Sequence, residues 1–534
     1  MYRTIPSFVL DHASRHKLVA QLMFSLLQSI RSMGSLPKET SPLAPHVILF
    51  PCPMHSHCVP FILMAKKIIA LGVKVTFISI EHVISLLQAT EGKLLASEPE
   101  NLRLLAISNG EGYKPSDSPL LLTSTISERT SDSFTECLER LMQGSNGVDP
   151  HILEWGPPRC VIFDLFLGSM VKLADQFNLP SYIFWTTTAT SLAVMMHTAV
   201  LRAHGHIPLN LDDTDNLRAV EIPCIPPVHP FEFIGATQNS RHVMHVLLSS
   251  YPDYHVHVRG ILVNSVHELE SSVFEALNEH YVGAEGSKLR RIIPVGPTIP
   301  KSVFFKETNQ ENNANCSGVG RDPILQWLDT QPSSSVIYIS FGSIATLTAN
   351  QLVEMALGLE ASGQRFVWIL RPPSDPSMIA ANSEAYSFLP PGFQDRVKGT
   401  GIIVTHWAPQ VQILQHPSTG GFLTHCGWNS ILESIGAGVP MLAWPIQAEQ
   451  MINTRWIVEE VRAAFALRRD PYSFVDRNSI DKGVRLLICS EEGQAAKKNV
   501  LHLRDKLLSS FGDNGLSAKC LKSFVEELEQ LHAQ

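Results

Sequence analysis

Short apolar runs alternate with amphipathic segments along most of the chain. Residues 46–50 (HVILF) form one such run and residues 73–79 form the next, and each has the length of a buried strand. Between them, after a loop over 51–57, Pro60 is expected to open a helix, because proline is favoured at the first helical position. The apolar residues of this helix recur at the spacing of one helix face: Phe61, Ala65, Ile68 and Ile69. A strand, a crossover helix and a second strand predict a parallel sheet.

The same unit recurs later in the chain and restarts after residue 330. Further strands are predicted at residues 161–163, 181–185, 336–341, 365–370, 402–405, 422–425 and 439–444. A polar, Asn-rich stretch over 306–320 separates the two groups of units and is typical of a linker. We therefore expect an α/β protein with two facing, doubly wound Rossmann-like domains, which bind ligands in the cleft at the carboxyl ends of their strands.

This pattern divides the chain into four predicted segments. They are an N-terminal extension (1–43), a first domain (44–300), a linker (301–320) and a second domain with a C-terminal helix (321–534). In the extension, apolar residues recur at helical spacing over 9–33, as they do in an amphipathic targeting peptide. Asp11 and the interspersed polar residues favour an ordinary N-terminal helix or a poorly ordered extension instead. The last helix is expected to pack back onto the first domain.

Composition and charge narrow the class of protein. The chain has 534 residues, a net charge of −8 and 17% charged residues, which argues against nucleic acid as a partner. Its nine cysteines include no CxxC pair, so a disulfide framework or a zinc ribbon is not expected and a reducing compartment fits better. No apolar stretch reaches the ~18 residues of a membrane helix, so we expect a cytoplasmic protein without a transmembrane segment, with peripheral membrane association left open.

The most specific pattern lies over residues 407–450. It contains WAPQ at its start, HCGWNS at residues 425–430, a glutamate three residues later and a terminal acid–Gln pair. Over its whole length this segment resembles the signature box of the plant family-one UDP-dependent glycosyltransferases. The resemblance covers about residues 44–530. It implies the GT-B architecture, with the acceptor bound by the first domain and a UDP-sugar bound by the second.

The physical chemistry of the segment agrees with a diphosphate site. A strand over 422–425 turns through 426–428 into a helix that Asn429 and Ser430 are expected to open. A helix start presents free N–H groups and a partial positive charge, and His425 adds another donor beside it. Glu433 lies one turn deeper, where its carboxylate can accept two hydrogen bonds from a ribose diol. The alternative interpretation of Glu433 is a solvated helix residue.

The resemblance carries further donor contacts onto this sequence. Trp407 would offer a flat face to uracil, although a core or rim aromatic is the alternative. Glu449 stands where aspartate is commoner, and Gln450 resembles the glucose-using members of the family. The remaining contacts that the resemblance implies involve the nucleoside, phosphate or sugar, and they are carried by Ala408, Gln410, Ser343, Trp428 and Thr186.

Transfer to a hydroxyl needs a base, and the resemblance assigns this role to His57. Ser56 and Val59 replace the glycine and asparagine that are usual beside it, and His55 is a rival base two residues away. Asp164, which ends the strand over 161–163, is expected to orient the imidazole, while a helix N-cap is the alternative. With His57 as base, the acceptor oxygen attacks the anomeric carbon opposite UDP, so the reaction is expected to be inverting.

No metal cofactor is expected. A group of four possible ligands crowds one short loop without the spacing of a zinc site: Cys52, His55, His57 and Cys58. Asp213 and Asp215 spell the DxD metal motif of another glycosyltransferase architecture, but they lie in a polar loop with no preceding strand.

We therefore expect transfer of a sugar, glucose above all, from a UDP-sugar to a small lipophilic acceptor of the flavonoid, phenolic, terpenoid or hormone class. The loops that would choose the acceptor include residues 208–229. The alternative function is a catalytically silent UDP-sugar-binding regulatory protein. A nicotinamide-dependent dehydrogenase is disfavoured, because no G-x-G-x-x-G follows a predicted strand.

Overall fold

A computed structural model describes most of the chain after residue 43. The described residues are 44–98, 100–114, 119–143, 150–208, 218–233, 254–305, 322–373, 385–470, 472–512 and 514–531. Three sequence predictions lie outside them: the amphipathic segment over 9–33, the linker stretch over 306–320 and the DxD motif at Asp213 and Asp215.

The first half of the chain builds a parallel sheet and a small hairpin. Its strands are β1 (His46–Phe50), β2 (Lys74–Ile80), β3 (Leu102–Ile107), β4 (Cys160–Asp164), β5 (Ser181–Trp185), β6 (Val220–Ile222), β7 (Ile225–Val228), β8 (Gly260–Val263) and β9 (Arg291–Pro294). The sheet order is β3–β2–β1–β4–β5–β8–β9, and all its neighbours run parallel. β6 and β7 form a separate antiparallel pair.

The second half builds another parallel sheet. Its strands are β10 (Val336–Ser340), β11 (Arg365–Ile369), β12 (Gly401–Val404), β13 (Thr419–Thr424), β14 (Met441–Ala443) and β15 (Ala464–Ala466), in the order β12–β11–β10–β13–β14–β15. In both sheets the order reverses beside the first strand, and such a reversal opens a crevice at the carboxyl ends of the strands. The sheets confirm the predicted fold class of two doubly wound α/β units.

Helices cross over between the strands. In the first half they are α1 (His55–Ile69), α2 (Glu81–Thr90), α3 (Gly92–Leu95), α4 (Pro119–Gln143), α5 (Pro150–Leu153), α6 (Val171–Gln176), α7 (Ala189–Met196), α8 (Thr198–Ala203) and α9 (His267–Tyr281). In the second half they are α10 (Pro323–Asp329), α11 (Ala349–Ser362), α12 (Phe393–Arg396), α13 (Gln410–Leu414), α14 (Trp428–Ala437), α15 (Gln450–Arg455), α16 (Arg477–Cys489), α17 (Glu491–Ser510) and α18 (Leu516–Gln530). Short 3₁₀ segments lie at Leu165–Met170, Pro230–Glu232, Lys301–Val303 and Ala385–Phe388, and a π-helical turn at Trp456–Glu460.

The prediction that Pro60 opens the first helix is wrong. α1 begins five residues earlier, at His55, and Pro60 lies inside it. Proline lacks an N–H, so it cannot bond the carbonyl of Ser56 four residues before it. That carbonyl accepts a hydrogen bond from the side-chain amide of Asn429 at 3.0 Å instead, which accounts for a proline at an interior position.

The last helix packs on the first sheet. Its buried face belongs to the same hydrophobic core as β1, β4 and β5, through Leu521, Phe524, Val525 and Leu528. Glu527 on this helix accepts a hydrogen bond from the Tyr182 hydroxyl at 2.9 Å and pairs with Arg259 and Arg291. The chain therefore returns to its first sheet after building the second one. The predicted boundaries near residues 300 and 321 stay a prediction.

Two further observations bear on the expectations from composition. No disulfide links the eight cysteines that the structure describes. Over the same residues, none of the helices has the length and apolar character needed to span a membrane.

Candidate functional site

The carboxyl ends of β1 and β4 bring a histidine and an aspartate together. The two strands are parallel neighbours, so the start of α1 after β1 lies beside the end of β4. Nδ1 of His57 lies 2.8 Å from Oδ2 of Asp164, whose side chain is fully buried. The other Asp164 oxygen accepts a hydrogen bond from the backbone N–H of Phe166 and caps the 3₁₀ segment that follows. The Asp164 side chain therefore does both things that the sequence suggested as alternatives: it contacts the His57 imidazole and it caps a helical segment.

The charges around His57 favour its protonated form. Burial alone would lower the pKa of His57, but the charge and hydrogen bond of Asp164, helped by the charge of Glu449, outweigh burial and raise it. Nδ1 faces a carboxylate and therefore acts as the donor, which leaves Nε2 as the basic nitrogen in the neutral ring. The ring rests against Phe166, with 5.3 Å between ring centroids. This arrangement produces a base that accepts a proton more readily than an isolated histidine.

The rival histidine lies in a different environment. Nε2 of His55 is 3.1 Å from a carboxylate oxygen of Glu91, and its ring makes an edge contact with Trp407 at 5.6 Å between centroids. It does not share the aspartate of His57. Within the described ranges, no group of three or more His, Cys, Asp or Glu side chains is arranged to hold a metal ion.

Helix α14 presents an open start to the cleft. It begins at Trp428 after the N-cap Gly427, one residue before the predicted opening at Asn429 and Ser430, and no side chain caps it. Its first N–H groups therefore lack a side-chain partner, as at other anion-binding helix starts. Oδ1 of Asn429 is buried and has no hydrogen-bond partner among the described residues, while its amide group holds the carbonyl of Ser56. These features leave polar groups available to a ligand at this helix start.

His425 lies between two glycines. A Cβ atom at Gly342 would approach its ring to 2.8 Å, and one at Gly427 would approach its Nε2 to 2.5 Å, so neither position tolerates a side chain without movement of the ring. Burial lowers the pKa of His425 to about 4, so the imidazole is neutral at physiological pH. Its buried Nδ1 has no partner among the residues that the structure describes. His425 therefore offers hydrogen bonds rather than a charge.

The loop after β10 is held beside this histidine. Gly342 has a φ of +76°, which glycine adopts without penalty, and its carbonyl accepts a hydrogen bond from Arg371 at 3.1 Å. Ser343 follows in the turn and is exposed. Sequence reasoning did not select Arg371, which has no motif around it.

A cluster of polar side chains lies where the nucleoside is expected. The Gln410 amide nitrogen donates to Oε2 of Glu433 at 2.6 Å and to the Ser430 hydroxyl at 3.2 Å, and its oxygen accepts from the hydroxyl of Tyr338 at 3.2 Å. Burial raises the pKa of Glu433 to about 7. Trp407 is 75% exposed and Ala408 beside it is buried. Trp407 precedes Gln410 by three residues, and an exposed indole has a free face on which a base can stack.

The box ends in a second cluster, which faces the first half of the chain. Oε1 of Glu449 accepts hydrogen bonds from the Asn453 amide at 3.3 Å and from the Thr187 hydroxyl at 3.4 Å. Burial raises the pKa of Glu449. The side-chain oxygen of Gln450 accepts from the backbone N–H groups of Ile446 and Gln447, both at 2.9 Å. Its oxygen is thus committed to the loop, and its amide N–H groups are the ones that a sugar hydroxyl could meet.

Two residues that were predicted to contact the donor, Trp428 and Thr186, make hydrogen bonds with Asn264 instead. The side chain of Trp428 is buried, packs on Trp456 and donates to the backbone carbonyl of Asn264 at 2.6 Å. Its side chain therefore contacts the first half of the chain. Thr186 is buried, and its carbonyl accepts from the Asn264 side chain at 3.2 Å, whereas the next residue, Thr187, contacts Glu449. Sequence reasoning missed Thr187 and Asn264, although Asn264 and Ser265 form a polar end directly after an apolar strand.

Comparisons with known proteins place this chain among relatives of known activity. Residues 294–504 match the family described as "UDP-glucoronosyl and UDP-glucosyl transferase". The chain is 35% identical over 501 residues to UDP-glycosyltransferase 72B1 of Arabidopsis thaliana, covering 91% of this chain and 98% of the relative. It is 31% identical to hydroquinone glucosyltransferase of Rauvolfia serpentina, with 89% and 96% covered.

The fold matches solved structures of the same kind. Phytolacca americana UGT2, complexed with UDP-2fluoro-glucose and pterostilbene, aligns with a TM-score of 0.73 at 29% identity, covering 91% of this chain and all of the other. The architecture is therefore GT-B. The chain belongs to the UDP-glycosyltransferase family, and it is an enzyme that uses a UDP-sugar.

The glycine beside His425 gives a first prediction. Gly427 has a φ of −63°, which alanine adopts freely, so Gly427→Ala adds only a Cβ against the imidazole. We expect the dissociation constant of UDP, measured by calorimetry, to rise about tenfold, or about 1.4 kcal/mol. In a His425→Ala background the same substitution should have little further effect. Unchanged UDP binding in Gly427→Ala would contradict a diphosphate contact of His425.

The pKa of Glu433 gives a second prediction. Because that pKa is raised to about 7, the carboxylate is protonated as pH falls from 8 to 6 and loses acceptor capacity for a ribose diol. Affinity for UDP-glucose, whose diphosphate does not titrate in this range, should fall by up to about tenfold per pH unit below 7. Glu433→Gln should bind more weakly at pH 8 and lose this pH dependence. A wild-type affinity that is flat between pH 6 and 8 would contradict the contact.

Proposed function

We propose that this enzyme transfers glucose from UDP-glucose, with inversion at the anomeric carbon, to a hydroxyl group of a small lipophilic acceptor. The observation that carries the proposal is the 2.8 Å separation of His57 Nδ1 and Asp164 Oδ2 at the carboxyl ends of β1 and β4. A base held in this way suits the removal of a hydroxyl proton. The charge of Glu449 reaches His57, which is consistent with a donor sugar bound near this base.

The reaction follows from these positions. Nε2 of His57 takes the acceptor proton while the acceptor oxygen forms a bond to the anomeric carbon. The bond from that carbon to the β-phosphate oxygen breaks, and its electron pair leaves with UDP. Asp164 stabilises the imidazolium that forms, and the start of α14 with His425 stabilises the charge on the leaving diphosphate. Attack opposite the leaving group inverts the configuration of the carbon.

Three observations support the choice of substrates. Glu449 and the amide of Gln450 supply an acceptor and donors for sugar hydroxyls, and Gln450 is the residue of the glucose-using pattern. One relative is named for glucosylating hydroquinone, and one related structure holds pterostilbene, so we favour a phenolic acceptor within the lipophilic class. We also propose that the reaction needs no metal, because His57 and the helix start supply the required base and charge stabilisation.

Turnover tests the proposal directly. With UDP-glucose, EDTA and a panel of phenols and terpenoid alcohols, we expect acceptor-dependent UDP release that His57→Ala reduces about 10²–10⁴-fold. Because Asp164 raises the pKa of His57, activity should rise with pH through a midpoint above the ordinary histidine value. Asp164→Asn should lower that midpoint along with the rate.

His55→Ala serves as the matched variant, since it removes the rival base and should leave the midpoint in place. A midpoint that moves with His55 and not with Asp164 would contradict the assignment of the base. Binding of UDP-glucose without turnover on any acceptor would favour the silent regulatory protein. Loss of activity in EDTA, restored by a divalent metal, would contradict the metal-free mechanism.

A further inference from the structure

A buried glutamate outside the donor box binds the turn that follows β5, and this turn contacts Glu449 of the box. Glu270 lies in α9 and is 3% exposed. Its carboxylate accepts hydrogen bonds from the backbone N–H groups of Ala189 and Thr190, both at 2.9 Å, from the Thr190 hydroxyl at 2.7 Å and from the Ser265 hydroxyl at 2.5 Å. Four donors match the acceptor capacity of an ionised carboxylate.

Two of these donors belong to the start of α7. An isolated buried carboxylate is costly, but one that receives orphan N–H groups at a helix start is stabilised by them and by the helix dipole. Glu270 therefore holds the start of α7, together with the Thr188 hydroxyl, which accepts a hydrogen bond from the backbone N–H of Ser191 at 3.0 Å. Residues 186–190, which end at these contacts, are called the sugar-side turn below.

The sugar-side turn contacts the donor half of the site through two hydroxyls. Thr187 donates to Oε1 of Glu449 at 3.4 Å, and Thr188 donates to the amide oxygen of Asn453 at 3.5 Å. Asn453 in turn donates to Glu449 and to the carbonyl of Cys426, which precedes α14. A displacement of the turn would therefore change the environment of the acid that is expected to bind the sugar.

Asn264 secures the other end of the turn. Its amide nitrogen donates to the carbonyl of Thr186 at 3.2 Å, and its oxygen accepts from the backbone N–H of Thr298 at 2.8 Å. Its backbone carbonyl accepts from the indole of Trp428 at 2.6 Å. Asn264 thus joins the sugar-side turn directly to the first residue of α14.

We propose that Glu270 is a positioning residue for the donor sugar, which acts by holding the sugar-side turn in register with Glu449. The inference rests on the proposed function, since it takes Glu449 as a sugar contact. Glu270 itself lies behind the turn and touches its backbone. We expect its effect to fall mainly on the part of donor affinity that the sugar contributes, because the turn contacts Glu449 directly through Thr187 and reaches α14 only through Asn264 and Asn453.

The test compares two ligands, UDP and UDP-glucose, of which only the second carries the sugar. Calorimetry gives the dissociation constants of UDP and of UDP-glucose for wild-type protein, for Glu270→Gln and for the matched control Glu275→Gln, whose exposed glutamate lies on the same helix. Glu270→Gln replaces one accepting oxygen by a donor, so a backbone N–H of the turn loses its partner. We expect the UDP-glucose constant to rise at least about fivefold more than the UDP constant, with no such difference in the control.

A merely structural role predicts a different result. Both ligands would then weaken by the same factor, or neither would weaken in the protein that remains folded, and either outcome would overturn the proposal. The coupling to Glu449 is tested in a Thr187→Val background, where Glu270→Gln should have a much smaller effect on the sugar-dependent ratio. If Glu270→Gln does not fold, Thr190→Val removes one hydrogen bond to the carboxylate and should change the same ratio in the same direction.

Amide hydrogen exchange separates this inference from the proposed function. If wild-type protein binds UDP-glucose no more tightly than UDP, the choice of glucose fails, and the exchange experiment still decides whether Glu270 holds the sugar-side turn. Without any ligand, Glu270→Gln should accelerate exchange over residues 186–196 and leave β10 and β13 unchanged. Unchanged exchange over the sugar-side turn would overturn the proposal.

Discussion

The hydrogen bond between His57 Nδ1 and Asp164 Oδ2 is the interaction on which the rest of the site depends. It holds one imidazole nitrogen as a donor, so the other is left as the basic nitrogen of the neutral ring. Opposing effects act on this pair, because burial disfavours a charged imidazole and a fully buried aspartate favours it. The charge of the aspartate prevails, and a histidine that burial alone would make a poorer base becomes a better one.

The His57–Asp164 pair can act on a donor only if the two halves of the chain are held in a fixed relative position. Polar contacts between residues of the two halves hold them so. The carbonyl of Ser56, freed by Pro60, accepts from Asn429, so the helix that carries His57 contacts α14, whose start is the proposed diphosphate site. The Trp428 indole, bonded to Asn264, ties the same helix to the end of β8. The partners from the first half, Ser56 and Asn264, follow the carboxyl ends of β1 and β8, where a parallel sheet concentrates functional groups.

Much of this arrangement could be predicted from the sequence. Apolar periodicity located nine of the thirteen strands of the two sheets to within a few residues, because buried parallel strands are short apolar runs. It did not predict β3, β8, β9 and β15. The glycosyltransferase box named the donor residues by resemblance, and its Gly427, together with Gly342 outside the box, proves to make room for His425. The beginning of α1 could not be predicted, because the preference of proline for a first helical position says nothing of a carbonyl that finds its partner 373 residues away.

The contacts of Glu270 and Thr187 could not be predicted from the sequence either. Glu270 and Thr190 lie 80 residues apart, and each alone reads as an ordinary helix residue. Resemblance to a signature box carries over only the residues inside the motif. Thr187 was missed for a related reason, since the sequence gives no register for a turn of several hydroxyl residues, and the contact with Glu449 falls one position after the threonine that was expected.

The central claim is that His57 activates the acceptor for attack opposite the leaving UDP, and the configuration of the product tests it most directly. UDP-glucose carries an α-linked sugar, so a single displacement assisted by one base must give the β-glucoside. Proton NMR of the purified product distinguishes the anomers by the coupling between the first two ring protons. The account predicts the β-anomer alone, formed without a covalent enzyme intermediate. An α-linked product would contradict it, because retention requires either two displacements or attack from the face that UDP leaves.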